Sequence, residues 1–124
     1  MGKIIFFNSR GELLRMEVEK IVYFEADGNY THIVTKNKLK ATVGASLVKT
    51  EEVLTAQLGS DARRFIRLGK RFIVNTKFVY SVNLAKQRLV LSDMDTFAFQ
   101  LPVSKDALKL MKELMLMNMK ETHD

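Results

Sequence analysis

Short apolar runs with period-two alternation, separated by turn-forming residues, fill most of the chain before a single proline at position 102. Residues 3–7 read as a strand, Asn8-Ser9-Arg10-Gly11 as a turn, and residues 12–16 as the returning arm of a hairpin. Residues 20–26 are rich in β-branched and aromatic side chains, and Asp27-Gly28-Asn29 then supplies residues that tolerate positive φ. Residues 30–35 alternate, Lys36-Asn37-Lys38 turns the chain, and residues 39–43 close a meander. The period changes after Gly44. Ser46 suits an N-cap, Leu47, Val53, Leu54 and Leu58 form a helical stripe, and Gly59 suits the residue after the helix. Strands are expected again at 65–68, 72–75, 78–84, 88–91 and 96–101, with Asp93-Met94-Asp95 turning between the last two. Pro102 ends the β region, and Ser104 caps a final helix whose stripe is Ala107, Leu110, Met111, Leu114 and Met117. The pattern predicts a mostly β fold with one embedded short helix and one C-terminal helix. It shows no internal repeat or linker, so residues 1–124 are expected to form one domain, with a core over about 3–112 and a frayed tail at 120–124.

Composition narrows the chemistry. The 124 residues include no cysteine, which excludes disulfides, thiolate zinc sites, iron–sulfur clusters and thiol catalysis. No apolar run exceeds four residues, so neither a transmembrane helix nor a signal peptide is expected, and the chain is placed in the cytoplasm. Four of the seven methionines lie between Met111 and Met119, a pattern that suits adaptable packing against the core or a partner better than a cofactor site.

The charge is uneven. The net charge is +6, yet residues 1–62 carry eight basic and eight acidic side chains, while residues 63–124 carry twelve basic and six acidic. Eight cations and no acid fall between Arg63 and Arg88. A polyanionic partner fits this distribution; a solvated basic face is the plain alternative.

Catalysis finds no support. His123 lies in the tail, and His32 sits in an alternating strand, where a surface or hydrogen-bonded histidine is expected rather than a base. No histidine or carboxylate spacing suits a metal, and no cofactor is expected. Gly69-Lys70-Arg71 lacks the earlier glycine and following hydroxyl of a phosphate-binding loop. Asn29-Tyr30-Thr31 matches a glycosylation sequon by coincidence.

Binding fares better. The stretch from Arg63 to Asn75 interleaves cations with apolar anchors. Strand alternation buries Phe65, and Gly69 lets Lys70 and Arg71 project from a turn toward phosphate or guanine edges. Asn29, Tyr30 and Thr31 follow a tight turn and offer donors and acceptors. Ser104 and Lys105 stand at a strand-to-helix junction, where free N–H groups favour phosphate. Arg63, Arg64, Arg67 and Lys77 are expected to contact phosphate or raise the local potential. Phe65, Phe72, Ile73, Val74, Leu54 and Leu58 are expected in the core.

Three segments together resemble the LytTR family, the DNA-binding domain of LytR/AgrA-type bacterial response regulators. They are Lys20-Ile-Val-Tyr-Phe-Glu-Ala-Asp-Gly-Asn-Tyr-Thr-His-Ile33, Phe65-Ile-Arg-Leu-Gly-Lys-Arg-Phe-Ile-Val-Asn75 and Leu101-Pro-Val-Ser-Lys105. The resemblance implies an elongated, roughly ten-stranded β fold and a two-component transcription regulator. Such proteins insert loops into successive major grooves of double-stranded DNA, often at direct repeats, and a homodimer on DNA is compatible with that. It places DNA-contacting loops at Asn29, Tyr30 and Thr31, at Lys70 and Arg71, and at Ser104 and Lys105. Many relatives carry histidine, arginine and serine where this chain has Gly69, Lys70 and Arg71, and arginine where it has Lys105, so base preference does not transfer. The receiver domain usual in such regulators has no counterpart here, which makes the chain a stand-alone regulator or a piece of a longer one. The alternative reading is a protein-interaction or dimerisation module that uses the methionine-rich C-terminal helix.

Overall fold

The computed structural model describes residues 3–123, with side chains described through Asn118. The frayed tail expected at Lys120–Asp124 and the side chains of Met119 and His123 fall outside the described side chains. The alternating segments become ten strands: β1 (Ile4–Asn8), β2 (Leu13–Glu17), β3 (Ile21–Asp27), β4 (Tyr30–Thr35), β5 (Lys40–Val43), β6 (Phe65–Leu68), β7 (Phe72–Asn75), β8 (Val79–Asn83), β9 (Arg88–Ser92) and β10 (Ala98–Pro102). Two α-helices accompany them, α1 (Leu47–Leu58) between β5 and β6 and α2 (Lys105–His123) after β10. The fold is mostly β, as the alternation predicts. Three short 3-10 segments, Val18–Lys20, Gly59–Arg64 and Thr76–Phe78, carry no such sequence signal. The chain divides into two compact units, Met1–Lys77 and Phe78–Asp124.

In the first unit β1 and β2 form a hairpin, and a five-stranded antiparallel sheet runs in the order β5-β4-β3-β7-β6. The meander β3-β4-β5 is local, whereas the pairing of β3 with β7 joins segments about fifty residues apart. One face of the sheet packs Phe24, Ile33 and Ile73 against Leu47, Leu54 and Leu58 of α1 and Ile5 and Phe7 of β1. Phe24 meets Phe7 and Phe65 edge to face at 6.3 and 5.7 Å, contacts worth about 0.5–1.5 kcal/mol each beyond their burial. All six expected core residues are buried.

Helix α1 starts as expected, with Ser46 Oγ accepting from the Lys49 N–H at 3.3 Å. Its fully buried residues are Leu47, Thr50, Leu54 and Leu58, with Val53 partly buried against the same core, so the stripe expected from the sequence gains a threonine. The Thr50 hydroxyl is satisfied by the Ser46 carbonyl at 2.9 Å, which removes the cost of burying it. At the edge of the buried stripe, the Gln57 amide donates to the Phe6 carbonyl at 2.7 Å and accepts from the Phe6 N–H at 2.9 Å. It thus takes the place of a strand partner on the open edge of β1.

The second unit has a three-stranded antiparallel sheet, β10-β9-β8, with α2 packed against β8. The β9–β10 turn is organised by Asp93, whose Oδ1 accepts from the N–H groups of Asp95 at 3.0 Å and Thr96 at 2.8 Å. The Thr96 hydroxyl on Oδ2 is the first cause holding this carboxyl well below the usual range. Helix α2 buries Leu108 and Met111, while Leu110 and Met117, both expected in its stripe, are half or more exposed. Apolar residues at 107, 108, 110, 111 and 114–117 leave two rotational settings of similar period, and packing selects the one through Leu108.

Candidate nucleic-acid interface

The antiparallel register decides which loops meet. Asp27 pairs with Tyr30, leaving Gly28 and Asn29 as a two-residue turn between β3 and β4. Gly28 has φ +60°, a value that favours glycine at the first central position. Leu68 pairs with Phe72, leaving Gly69, Lys70 and Arg71 as the turn between β6 and β7, with Gly69 at φ +65°. Because β3 lies beside β7, both turns emerge from the same end of the sheet, and the Ala26 N–H donates to the Arg71 carbonyl at 2.8 Å. The link from β5 into α1 leaves from this end too: the Thr31 hydroxyl donates to the Ala45 carbonyl at 2.8 Å.

The candidate side chains behave differently from one another. Asn29 and Lys70 are exposed and make no side-chain hydrogen bond or ion pair among the described residues. Tyr30 is 56% exposed, its ring edge near Gly44. Arg71 is exposed, stacks on the Phe72 ring at 4.9 Å, and donates from Nε and Nη2 to Glu25 Oε2 at 3.2 and 2.9 Å. Thr31, expected among the contacting groups, is 0% exposed and also accepts from the Thr50 hydroxyl at 3.3 Å. Its side chain therefore fixes the entrance to α1 and is not presented to a ligand. Two places along β4, Ile33 faces the same core, so period two already points Thr31 inward.

Arg67 is likewise engaged within the protein. It is half-buried, donates from Nε to the Gly69 carbonyl at 3.0 Å, and pairs through Nη1 with Glu51 of α1 at 3.3 Å. It braces the β6–β7 turn from behind. Arg63 and Arg64 precede β6, and Lys77 follows β7, so these cations stand at the other end of the sheet from Lys70 and Arg71. The four residues of β6 separate the two groups by roughly 13 Å. Arg63 and Lys77 are exposed, while Arg64 is half-buried and its carbonyl accepts from Thr76 at 3.0 Å.

Several organising residues carried no functional signal in the sequence. Glu25 anchors Arg71. His32 is bonded at both ring nitrogens, to Thr42 Oγ1 and Asp27 Oδ2, each at 2.8 Å, and so ties β5 through β4 to the β3–β4 turn. Burial raises the pKa of Tyr23, and the neighbouring Glu25 charge raises it further against an opposing effect of Arg71. Asn75 is fully buried, donating to the Ile21 carbonyl at 2.8 Å and accepting from the Lys77 N–H at 3.1 Å. The asparagine that closes the second motif is thus a structural bracket.

In the second unit, Ser104 caps α2 by accepting from the Ala107 N–H at 3.3 Å, and Lys105 is exposed in the first turn. The Val103 N–H donates to the Gln87 carbonyl at 3.2 Å, which sets exposed Lys86 and Arg88 of the β8–β9 hairpin near this junction. Among the described residues no cluster of histidine and acidic side chains could hold a metal ion, and no helix is long and apolar enough to cross a membrane.

Comparisons with known proteins agree with the sequence resemblance. No curated protein matches the chain. A solved LytTr DNA-binding domain from Bacillus cereus, assigned to a methyl-accepting/DNA response regulator, is similar in fold. It is 23% identical, with a TM-score of 0.63, over 92% of this chain and 98% of that one. The family model of the LytTr DNA-binding domain matches residues 11–116, most of the sequence. With that match over β2 to β10, their turns and the helix junction, the chain belongs to the LytTr DNA-binding domain family.

Proposed function

We propose that this chain is a sequence-specific, non-catalytic transcription regulator that reads double-stranded DNA with loops rather than with a recognition helix. The single observation that carries the reading is the loop end of the five-stranded sheet. There, one backbone hydrogen bond between Ala26 and Arg71 joins two turns that expose Asn29, Tyr30, Lys70 and Arg71. Amide, phenol, ammonium and guanidinium groups on rigid hairpin turns suit a major groove, where base edges offer both donors and acceptors. Lys70, Arg71, Asn29 and Tyr30 carry base readout or its positioning. Ser104 and Lys105 in the second unit supply a further contact at a helix N-terminus. Arg63, Arg64 and Lys77 contribute phosphate contact or potential, and Arg67 acts by bracing the turn. Successive major grooves, direct-repeat sites, two copies on one site and a cytoplasmic setting fit this reading, with the two units working as one DNA-binding domain.

The test is selection of duplexes from a random pool, followed by a salt titration on the selected sequence. The reading expects one enriched motif and, for about six phosphate contacts, a log–log salt slope near about −5. Equal weak binding to all duplexes would overturn the sequence-specific reading.

A second reading has its own observation: Leu110, Leu116 and Met117 of α2 are exposed. An interaction module would use that face for a second copy or a partner. Concentration-dependent self-association that is lost on Leu110→Gln, in a chain that does not bind DNA, would favour it.

A further inference from the structure

We propose that Glu25 determines the sequence discrimination of the loop end by orienting Arg71 and masking its charge. The proposal rests on the DNA-binding reading and names a positioning residue for it. Two N–H groups of the Arg71 guanidinium, on Nε and Nη2, converge on a single oxygen, Glu25 Oε2. Its Cζ lies 4.9 Å from the centroid of the Phe72 ring. A guanidinium has five N–H donors in a rigid plane, so this grip leaves the others with a fixed direction.

The anchor is itself well held. Glu25 lies in β3, its side chain 24% exposed against 58% for Arg71. It stands between His32 of β4 and Phe72 of β7 in register. His32 gives both ring nitrogens to Thr42 and Asp27, so it does not compete for Glu25. Tyr23 and Asp27, the titratable neighbours two places away on β3, have no positive charge to offer. Arg71 is therefore the cation that answers Glu25.

The electrostatic consequence separates two kinds of binding. An unpaired arginine on a turn attracts any phosphate and reports nothing about sequence. Paired with Glu25, Arg71 adds almost nothing to the long-range field, while its remaining donors stay aimed for a base edge or one particular phosphate. Lys70, the adjacent residue, has no such partner among the described residues and remains a general attractor. The turn thus sets one unmasked cation beside one masked and oriented cation.

The experiment compares wild type, Glu25→Gln, Arg71→Gln and the double variant. Each is titrated with the duplex selected by the wild type and with a scrambled duplex of equal length, over a range of salt. Glu25→Gln should bind the scrambled duplex about three- to tenfold more tightly, with a salt slope steeper by about 0.9, as one cation is released to contact phosphate. Its ratio of selected to scrambled affinity should fall about tenfold. In the Arg71→Gln background the Glu25 substitution should leave the ratio of selected to scrambled affinity unchanged. Should Glu25→Gln fail to fold, Arg71→Lys on the exposed turn gives the same answer. It keeps the charge and loses the fork, so the ratio should fall while scrambled binding does not weaken. Unchanged ratios in Glu25→Gln and Arg71→Lys, or a Glu25 effect on the ratio that persists without Arg71, would overturn the proposal and leave the DNA-binding reading standing. A wild type that does not discriminate between the two duplexes would overturn both.

Discussion

Both ends of the five-stranded sheet carry positive charge and organise it differently. At the loop end, Arg71 is gripped by Glu25, Arg67 by Glu51 and the Gly69 carbonyl, and Lys70 projects between them. At the opposite end Arg63 is exposed and makes no hydrogen bond or ion pair among the described residues. The lysines Lys3 and Lys20 meet Asp61 and Glu17 there in exposed pairs at 2.6 and 2.7 Å. Exposed pairs on flexible stems contribute little to stability and are screened by salt. A cation held by a carboxylate fixed on a strand or helix has a direction, whereas a cation on a free stem has only a charge. Direction is what reading a base requires, and charge alone suffices to approach a phosphate. Net charge identified the class of partner, and only the pairing of that charge distinguishes the two ends.

The largest expected effect tests the rigidity behind that contrast. Asn75→Leu removes the bracket between Ile21 and the Lys77 N–H, leaving a buried carbonyl and an N–H unpaired. Urea unfolding should show a loss of about 2–4 kcal/mol. A loss below about 0.5 kcal/mol would mean that the residue is dispensable to the fold. Next comes Lys70→Ala, which should cost about 1–3 kcal/mol on the selected duplex and clearly less on a scrambled one. Equal losses on both would reduce the loop end to the same role as the far end. Thr31→Val should cost about 1 kcal/mol of stability through the lost Ala45 and Thr50 bonds. Titrated as folded protein, it should affect DNA affinity less than Lys70→Ala does. A larger binding loss would restore Thr31 as a contact.

Arg63→Ala should weaken binding to all sequences alike and make the salt slope shallower by about 1. A change in motif preference would break the division between the ends. The smallest effect is acid sensitivity at the far end. The Lys3 hydrogen bond lowers the Asp61 pKa, and the Lys20 hydrogen bond lowers that of Glu17. Folded values below the unfolded ones stabilise the protein above the ordinary carboxylate pKa and lose that contribution as pH falls through the folded values. Unfolding midpoints followed from pH 7 to pH 3 should therefore drop slightly more at low salt than at high salt. Removal of that salt dependence by Lys3→Met together with Lys20→Met would confirm the source.

Much of this molecule was legible in order of locality. The hairpins and the β3-β4-β5 meander follow from alternation and from Gly28, Asn37 and Gly69 at the turns, because a hairpin is closed by its own neighbours in sequence. Ser46 and Ser104 were readable as caps for the same reason. Asn29, Lys70 and Lys105 were found as exposed polar groups because turns and helix starts expose them. A threonine beside a turn looks like a donor to solvent, yet the inward phase of Ile33 fixes the direction of Thr31. The pairing of Arg67 with Glu51 is not legible, because strand phase cannot reveal a carboxylate on a helix sixteen residues away in sequence.

By itself the sequence determined the strands, the turns between them, the two helices, the segregation of positive charge after Arg63 and the family. Each of these depends on spacing within a few residues or on composition. Only the tertiary structure decided that β3 lies beside β7, which rotation of α2 is buried, and which cations are free, braced or masked. Those outcomes depend on pairings between distant segments, Ala26 with Arg71 and Glu25 with Arg71 among them. The energy of such a pairing exists only once the chain has closed the loop between its partners.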